Sequence, residues 1–384
     1  MKIGIVAERF LADKTGEVAV GGVQVWLSEL VKVIRSLGHE AILVQKYKED
    51  FEVRLEDVKV RGIRYGTEAG FGNFFTLDCR YNVRAHRVLD SEKAECIIYG
   101  NSLAAFPIYR PGNIFLQHGI YWDGSHGFSW RRVLRNVVKR IARPTTTTAN
   151  HDLKLYRKSR LTISVDTNFI NYARAMLRGK FDPSRIIYIP NFAEIPENDN
   201  WKKKWKDPKE IVFLFPRRFT PYRGTLLWAD AAGELLKTTA ETRFVFDGEG
   251  LYGPELQRRF ADNPRVEIRP VNPKDMPAEY EAAHVVVVPT VFSEGTSLSC
   301  IEGMAYGCVP LVTDVGGLAN LVFPDYNGYV VRPDVDELLS ASRAITADIP
   351  KARTMAENSH EIARSSFGLT RWRERMKEAL LRVL

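Results

Sequence analysis

Cysteine is scarce in this chain, with 4 in 384 residues, at Cys79, Cys96, Cys300 and Cys308. Their spacing fits no metal-binding pattern, and so few thiols argue against a disulfide framework. A reduced, cytoplasmic protein is the simpler expectation. Long hydrophobic runs are also missing: the apolar stretch 284–292 is too short to span a bilayer and contains Pro289. Met1-Lys-Ile-Gly-Ile-Val-Ala-Glu8 has too brief an apolar part for a secretion signal and no small-residue cleavage site after it, so it reads as a first core strand. Repeats and low-complexity tracts are absent apart from Thr145–Thr148. An Asp-x-Asp metal site is lacking too, because Asp334-Val335-Asp336 follows Arg332-Pro333 and opens a helix, where Asp334 is expected to cap.

What is present is the composition of a soluble globular protein, 45% hydrophobic and 27% charged, in a chain too long for one ordinary core. A net charge of +8 favours an anionic partner of some kind, and nucleic acid, an acidic membrane and phosphorylated small molecules all qualify. Strands alternate with helices. Lys2–Ala7, Glu40–Gln45, Glu95–Tyr99, Asn113–Gln117, Leu161–Val165 and Arg185–Ile189 read as strands of a first half. Ile211–Phe215, Arg243–Phe246, Val266–Ile268, His284–Val288 and Val309–Val312 read as strands of a second. Val23–Leu37 carries an apolar stripe and ends at Gly38. This pattern predicts two doubly wound α/β domains with parallel sheets, and the turn-rich Pro190–Asn200 marks the seam. The domains expected are 1–192, completed by a C-terminal helix at 370–384, and 193–369.

The most informative stretch runs from Pro289 to Pro310. A buried strand leads into a polar loop with Glu294, Gly295, Thr296, Ser297 and Leu298, then into an amphipathic helix with Glu302 and a C-capping Gly307. The first helical amides, around Ser297 and Leu298, suit an anion, and the carboxyl end of a parallel strand is where open α/β sheets bind ligands. A carboxylate beside a phosphate needs a partner that donates hydrogen bonds, and sugar hydroxyls do so. Glu294 and Glu302 thus suit the two sugars flanking one diphosphate. Pro216-Arg-Arg-Phe-Thr-Pro-Tyr-Arg-Gly224 follows another strand, and Arg218 and Arg223 are spaced to meet that diphosphate. Gly21-Gly22 lies between the first strand and its helix, where backbone amides can approach a phosphate. His118, followed by Gly119, ends a strand of the first half, and Tyr121-Trp-Asp-Gly124 offers rings that suit either stacking on a sugar or packing within a loop.

Glu294-Gly-Thr-Ser-Leu-Ser-Cys-Ile-Glu302 resembles the E-x7-E motif of the GT4 family of retaining glycosyltransferases, which have the GT-B fold. Glu302-Gly-Met-Ala-Tyr-Gly307 and Asp314-Val-Gly-Gly317 fit the same family, as do Gly21-Gly22, His118-Gly119, the Arg218…Arg223-Gly224 element and the glycine-rich turn Asp247-Gly-Glu-Gly250. The chain departs from it in having Arg223 for a usual lysine, and Pro190-Asn-Phe192 where many members have Pro-Asn-Gly. The resemblance implies two Rossmann-like domains with a cleft between them and a C-terminal helix crossing back to the first. It implies that Glu294 contacts the donor sugar, Glu302 the ribose and the loop amides the diphosphate, while His118 contacts the sugar.

The function so implied is sugar transfer from a nucleotide diphosphate sugar, with a uridine donor favoured over a guanosine one, to a saccharide acceptor. Arginines and helix amides would neutralise the leaving diphosphate, so no metal and no cofactor is expected. Trp130–Arg143 holds six cations and no acid along an apolar helical stripe, which suits an anionic membrane surface and so a lipid-linked or cell-envelope acceptor. The protein would then be peripheral on the inner face of the cell membrane. A nucleotide-sugar epimerase of the same fold is the enzymatic alternative. A catalytically silent nucleic-acid binder is the other, and the chain lacks the aromatic interleaving and motifs which that role uses.

Overall fold

The computed structural model of the chain describes every residue except 20, 57, 67–72, 102, 106–107, 111 and 121–147. The cationic segment 131–143 and Tyr121–Gly124 therefore lie outside the described residues. The chain divides into two compact units, one containing Met1–His118 and Trp372–Leu384, the other containing Pro190–Arg371.

The first unit has an 8-stranded sheet. Its strands are β1 (Lys2–Val6), β2 (Glu40–Tyr47), β3 (Phe51–Arg54), β4 (Val58–Arg64), β5 (Cys96–Tyr99), β6 (Ile114–Gln117), β7 (Leu161–Ser164) and β8 (Ile186–Tyr188). They lie in the order β3-β4-β2-β1-β5-β6-β7-β8. All pairs are parallel except β3 with β4, an antiparallel edge hairpin that the periodicity did not announce. Phe51–Arg54 alternates half-buried and exposed positions, the pattern of an edge strand with one face in water, and it lacks the apolar run that marks its buried neighbours. Helix α1 (Gly22–Ser36) buries Trp26, Leu27, Leu30, Val31 and Ile34 along one stripe. The C-terminal helix buries Trp372, Met376, Ala379, Leu380 and Val383 in this unit, where the Trp372 ring meets Trp26 edge-on at 5.4 Å. Arg373 Nη2 there pairs with Glu29 at 2.6 Å.

The second unit has a 6-stranded, wholly parallel sheet. Its strands are β9 (Ile211–Phe215), β10 (Thr242–Asp247), β11 (Val266–Arg269), β12 (Val285–Val288), β13 (Val309–Thr313) and β14 (Tyr329–Val331), in the order β11-β10-β9-β12-β13-β14. Both faces are covered, which is why these strands read as continuous apolar runs. Alternation by residue sends Phe213, Phe215, Val285 and Val287 into a core with Trp201, Trp205 and Trp228. Leu214, Val286 and Val288 go into a second core with Ile301, Met304 and Leu318. Each such side chain contributes about 1.5–3 kcal/mol by leaving water. Because β9 is flanked by β10 on one side and β12 on the other, the strand order reverses at β9–β12. Loops leaving the carboxyl ends of those two strands therefore diverge around a crevice.

One lysine ties this unit together. Lys204 Nζ donates to the carbonyls of Tyr280 and Tyr306 at 2.9 and 2.8 Å, and burial pushes its ammonium below the usual lysine range. Lys204→Met takes the ammonium donor from both carbonyls and leaves that of Tyr280 with the weak Cys308 thiol donor, so urea unfolding is expected to show a loss of about 2–4 kcal/mol. The exposed Lys202→Met should stay within about 0.5 kcal/mol of wild type. Equal stabilities for the two variants would remove this role.

Candidate functional site

In the second unit, the loops after β9 and β12 carry the charged residues singled out in the sequence. Gly224 begins the helix Thr225–Thr238 at φ 69°, and a Cβ there would lie 1.8 Å from the carbonyl oxygen of Pro289. Only glycine lets the two loops approach this closely. The Val291 amide then donates to the Tyr222 carbonyl at 3.1 Å, joining loop to loop. On the other side, Gly316 at φ 59° lies under Glu294, where a Cβ would meet the Glu294 carbonyl oxygen at 2.0 Å. The Gly317 amide donates to that same oxygen at 2.8 Å.

The Glu294 carboxylate held this way is largely buried. Its Oε2 accepts from Arg217 Nη2 at 2.6 Å, from Thr290 Oγ1 at 3.0 Å and from Arg223 Nη1. Burial alone would raise this carboxyl, but the two guanidiniums outweigh it and hold Glu294 below the usual range. Arg217 also donates to Ser297 Oγ at 3.1 Å, and its own burial lowers it to about 10, still a cation at neutral pH. Ser297 is the N-cap of helix Leu298–Ala305, but its hydroxyl faces Arg217 and Ser299 and makes no capping bond. The first amides of that helix have no intrahelical acceptor, so this end suits an anion. Gly295 and Thr296 are buried between Glu294 and the helix. Asn191 fixes Thr296, its amide donating to Thr296 Oγ1 at 2.8 Å and its side chain to the Thr296 carbonyl. Further along the helix, Glu302 Oε2 accepts from the Tyr280 hydroxyl at 2.8 Å. Burial pushes the Glu302 carboxyl up and the Tyr280 hydroxyl well above its ordinary value.

The structure thus brings Arg223, Glu294, Gly295, Thr296, Ser297, Leu298 and Glu302 onto two adjoining loops and one helix. Arg218 stands beside them but is exposed, while its neighbour Arg217 turns inward to the carboxylate. Sequence reasoning missed Arg217. Two adjacent arginines after a strand point to opposite sides, and nothing in their order says which faces in. It also missed Tyr280, which lies in no motif.

Gly21, Gly22 and His118 belong to the first unit. Gly21 caps and Gly22 opens α1, whose dipole favours an anion there. Gln45 fixes the preceding loop by accepting from the amides of Phe10 and Leu11 at 2.8 and 2.7 Å. His118 follows β6 and sets its ring edge-on to Trp26 at 5.1 Å. Burial lowers its imidazole to about 4, so it is neutral at pH 7, and its Nε2 has no partner among the described residues. Asp334 caps the helix Val335–Ala347 by accepting from the amides of Asp336 and Glu337 at 2.9 and 3.3 Å. Among the described residues no group of three or more His, Cys, Asp or Glu is placed to hold a metal. No described helix is long and apolar enough to cross a membrane.

Residues 210–348, within the second unit, match the family model described as Glycosyl transferases group 1. A D-inositol 3-phosphate glycosyltransferase of Nocardia farcinica is 31% identical over 160 residues, 38% of this chain and 35% of that protein. The chain spans between 18% and 40% of the length of the curated relatives it matches. Over 99% of this chain and 98% of the other, the fold is similar to sucrose-phosphate synthase from Thermosynechococcus elongatus, with 17% identity and a TM-score of 0.76. Anabaena HepE, solved in complex with UDP-glucose, is 18% identical over 99% of both chains with a TM-score of 0.65. The architecture is accordingly that of the GT-B glycosyltransferases.

Next to this site, Asp247 ends β10 with a buried carboxyl. Its Oδ1 accepts from Arg269 Nε at 3.3 Å, and its Oδ2 has no partner among the described residues. Burial and the nearby Glu279 raise it from 3.8 to about 6, against the pull of Arg269. A carboxyl raised in the folded state keeps a proton that the unfolded chain releases, so stability should fall as pH rises from about 4 through about 6. Asp247→Asn should abolish a fall of about 2–3 kcal/mol over that window, read from urea unfolding at a series of pH values. A pH profile that the substitution leaves unchanged would contradict the assignment.

Proposed function

We propose that this protein is a retaining glycosyltransferase, moving a sugar from a nucleotide diphosphate sugar to a saccharide acceptor. The observation that carries the reading is the Glu294 carboxylate, compensated by Arg217 and Arg223 and set before a helix end whose amides suit an anion. Glu302 stands further along the same helix. A carboxylate so compensated does not repel a diphosphate, and it still has lone pairs for sugar hydroxyls.

In this reading the exposed Arg218 and the amides at Ser297 and Leu298 take the diphosphate and stabilise it as it leaves, the largest single contribution expected. Arg223 completes the cationic rim, and Glu294 orients the donor sugar. Glu302 accepts from the ribose, held in place by the Tyr280 hydroxyl. The acceptor hydroxyl attacks the anomeric carbon on the face the diphosphate leaves and gives its proton to a phosphate oxygen, which preserves configuration. The carbon–oxygen bond to the diphosphate breaks as the new glycosidic bond forms. Positive charge near the phosphates comes from side chains, so turnover should survive excess chelator. A uridine donor is favoured, the kind of nucleotide with which HepE was solved. Gly21 and Gly22 are proposed donor-binding residues and His118 a proposed catalytic one; the first unit is proposed to handle the acceptor. A lipid-linked acceptor reached through 131–143 completes the reading; salt-sensitive sedimentation with anionic vesicles would support it, and equal, negligible binding to neutral and anionic vesicles would remove it.

The nucleotide assignment is tested by thermal shift. A panel of nucleoside diphosphates and their sugar conjugates should contain a pair that raises the melting temperature. With that pair, Glu302→Ala should weaken both ligands about tenfold or more, while Glu294→Ala should spare the bare nucleotide and cut turnover at least a hundredfold. Unchanged nucleotide affinity in Glu302→Ala would sink the ribose assignment.

A further inference from the structure

Two aromatic rings stand beside the Glu294 cluster and take no part in its hydrogen bonding. Tyr222 precedes Arg223 in the loop after β9, and Phe292 lies just before Glu294 in the loop after β12. The ring centroids are 5.2 Å apart at an interplanar angle of 47°. Tyr222 is 60% exposed, although its ring would gain by leaving water. The Val291 amide bond to the Tyr222 carbonyl fixes the pair through the same loop contact that brings Arg223 to Glu294. The aromatic surface and the carboxylate therefore hold a set position relative to each other.

An occupant suited to both has one apolar face and hydroxyls around its edge. A sugar ring in its chair form has that shape: its C–H face can lie on an aromatic ring while its hydroxyls donate to a carboxylate. A flat nucleobase also stacks on aromatic rings. In the proposed reading, however, the nucleoside end lies at Glu302 inside the helix, whereas Tyr222 and Phe292 adjoin Glu294 before it. We propose that Tyr222, backed by Phe292, is a stacking platform for a sugar ring at the Glu294 centre. This rests on the reading of that centre as a sugar site, and the ring comes from either the donor or the acceptor.

The test uses the full chain with Tyr222→Ala and Tyr222→Phe. Saturation-transfer NMR with methyl α-glucoside, α-mannoside and α-galactoside reads contact between the protein and sugar C–H groups without any nucleotide. The wild-type signal for at least one glycoside should fall about fivefold in Tyr222→Ala and persist in Tyr222→Phe. Absence of signal in wild type, equal signal in wild type and Tyr222→Ala, or loss in Tyr222→Phe would each overturn the platform. Calorimetry with UDP and UDP-glucose separates the two sources. A ring from the donor predicts about fivefold weaker UDP-glucose binding in Tyr222→Ala with UDP unchanged, whereas an acceptor ring leaves both affinities unchanged. An equal loss for UDP itself would make the pair a base platform and contradict the proposal. A glycoside signal that depends on Tyr222 in a protein that binds no nucleoside diphosphate would preserve the platform and refute the donor reading.

Discussion

The second unit depends on keeping one carboxylate ionised where little water reaches it. Moving a charge from water to a protein interior costs several kcal/mol unless partners replace its solvent. Glu294 receives that replacement from Arg217, Arg223 and Thr290, which come from two separate loops. The loops meet because β9 and β12 are neighbours in the sheet though distant in sequence. They come close enough because Gly224 and Gly316 have no side chains to keep the backbones apart. Strand order, glycine placement and charge compensation are thus successive conditions for a single ion cluster.

That dependence explains the division of labour among the arginines. Arg217 gives both its contacts to the interior, to Glu294 and to Ser297, and so fixes the carboxylate against the start of the helix. Arg218 is left on the exposed side of the same turn. Removing the inner guanidinium would leave a buried charge underpaired, whereas removing the outer one would take a cation only from the surface that a ligand meets. Glu302 follows different rules. Its partner is a tyrosine hydroxyl, and burial moves its carboxyl up while Glu294 moves down. Two glutamates on one short segment thereby acquire distinct hydrogen-bonding characters.

Much of this was legible in the sequence. The apolar runs announced the central strands because both sheet faces are covered, and Glu294, the helix start and Glu302 could be placed from strand, loop and glycine signals alone. The C-terminal helix and its buried face from Trp372 to Val383 were readable from helical spacing. Phe51–Arg64 was not, since an edge hairpin with one wet face carries no apolar run. Tyr329–Val331 was too short for periodicity to mark it. Arg217 and Tyr280 were hidden for another reason. Which of two adjacent arginines turns inward, and which helix supplies a hydroxyl to Glu302, are decided by packing between segments far apart in the chain.

The central claim is that Arg217 positions the carboxylate while Arg218 meets the diphosphate. Calorimetric titration of Arg217→Met and Arg218→Met with the nucleoside diphosphate that stabilises the wild type most tests it directly. The account predicts at least tenfold weaker binding for Arg218→Met and little change for Arg217→Met, whose defect should appear in turnover. Nucleotide affinity lost in Arg217→Met and retained in Arg218→Met would contradict it.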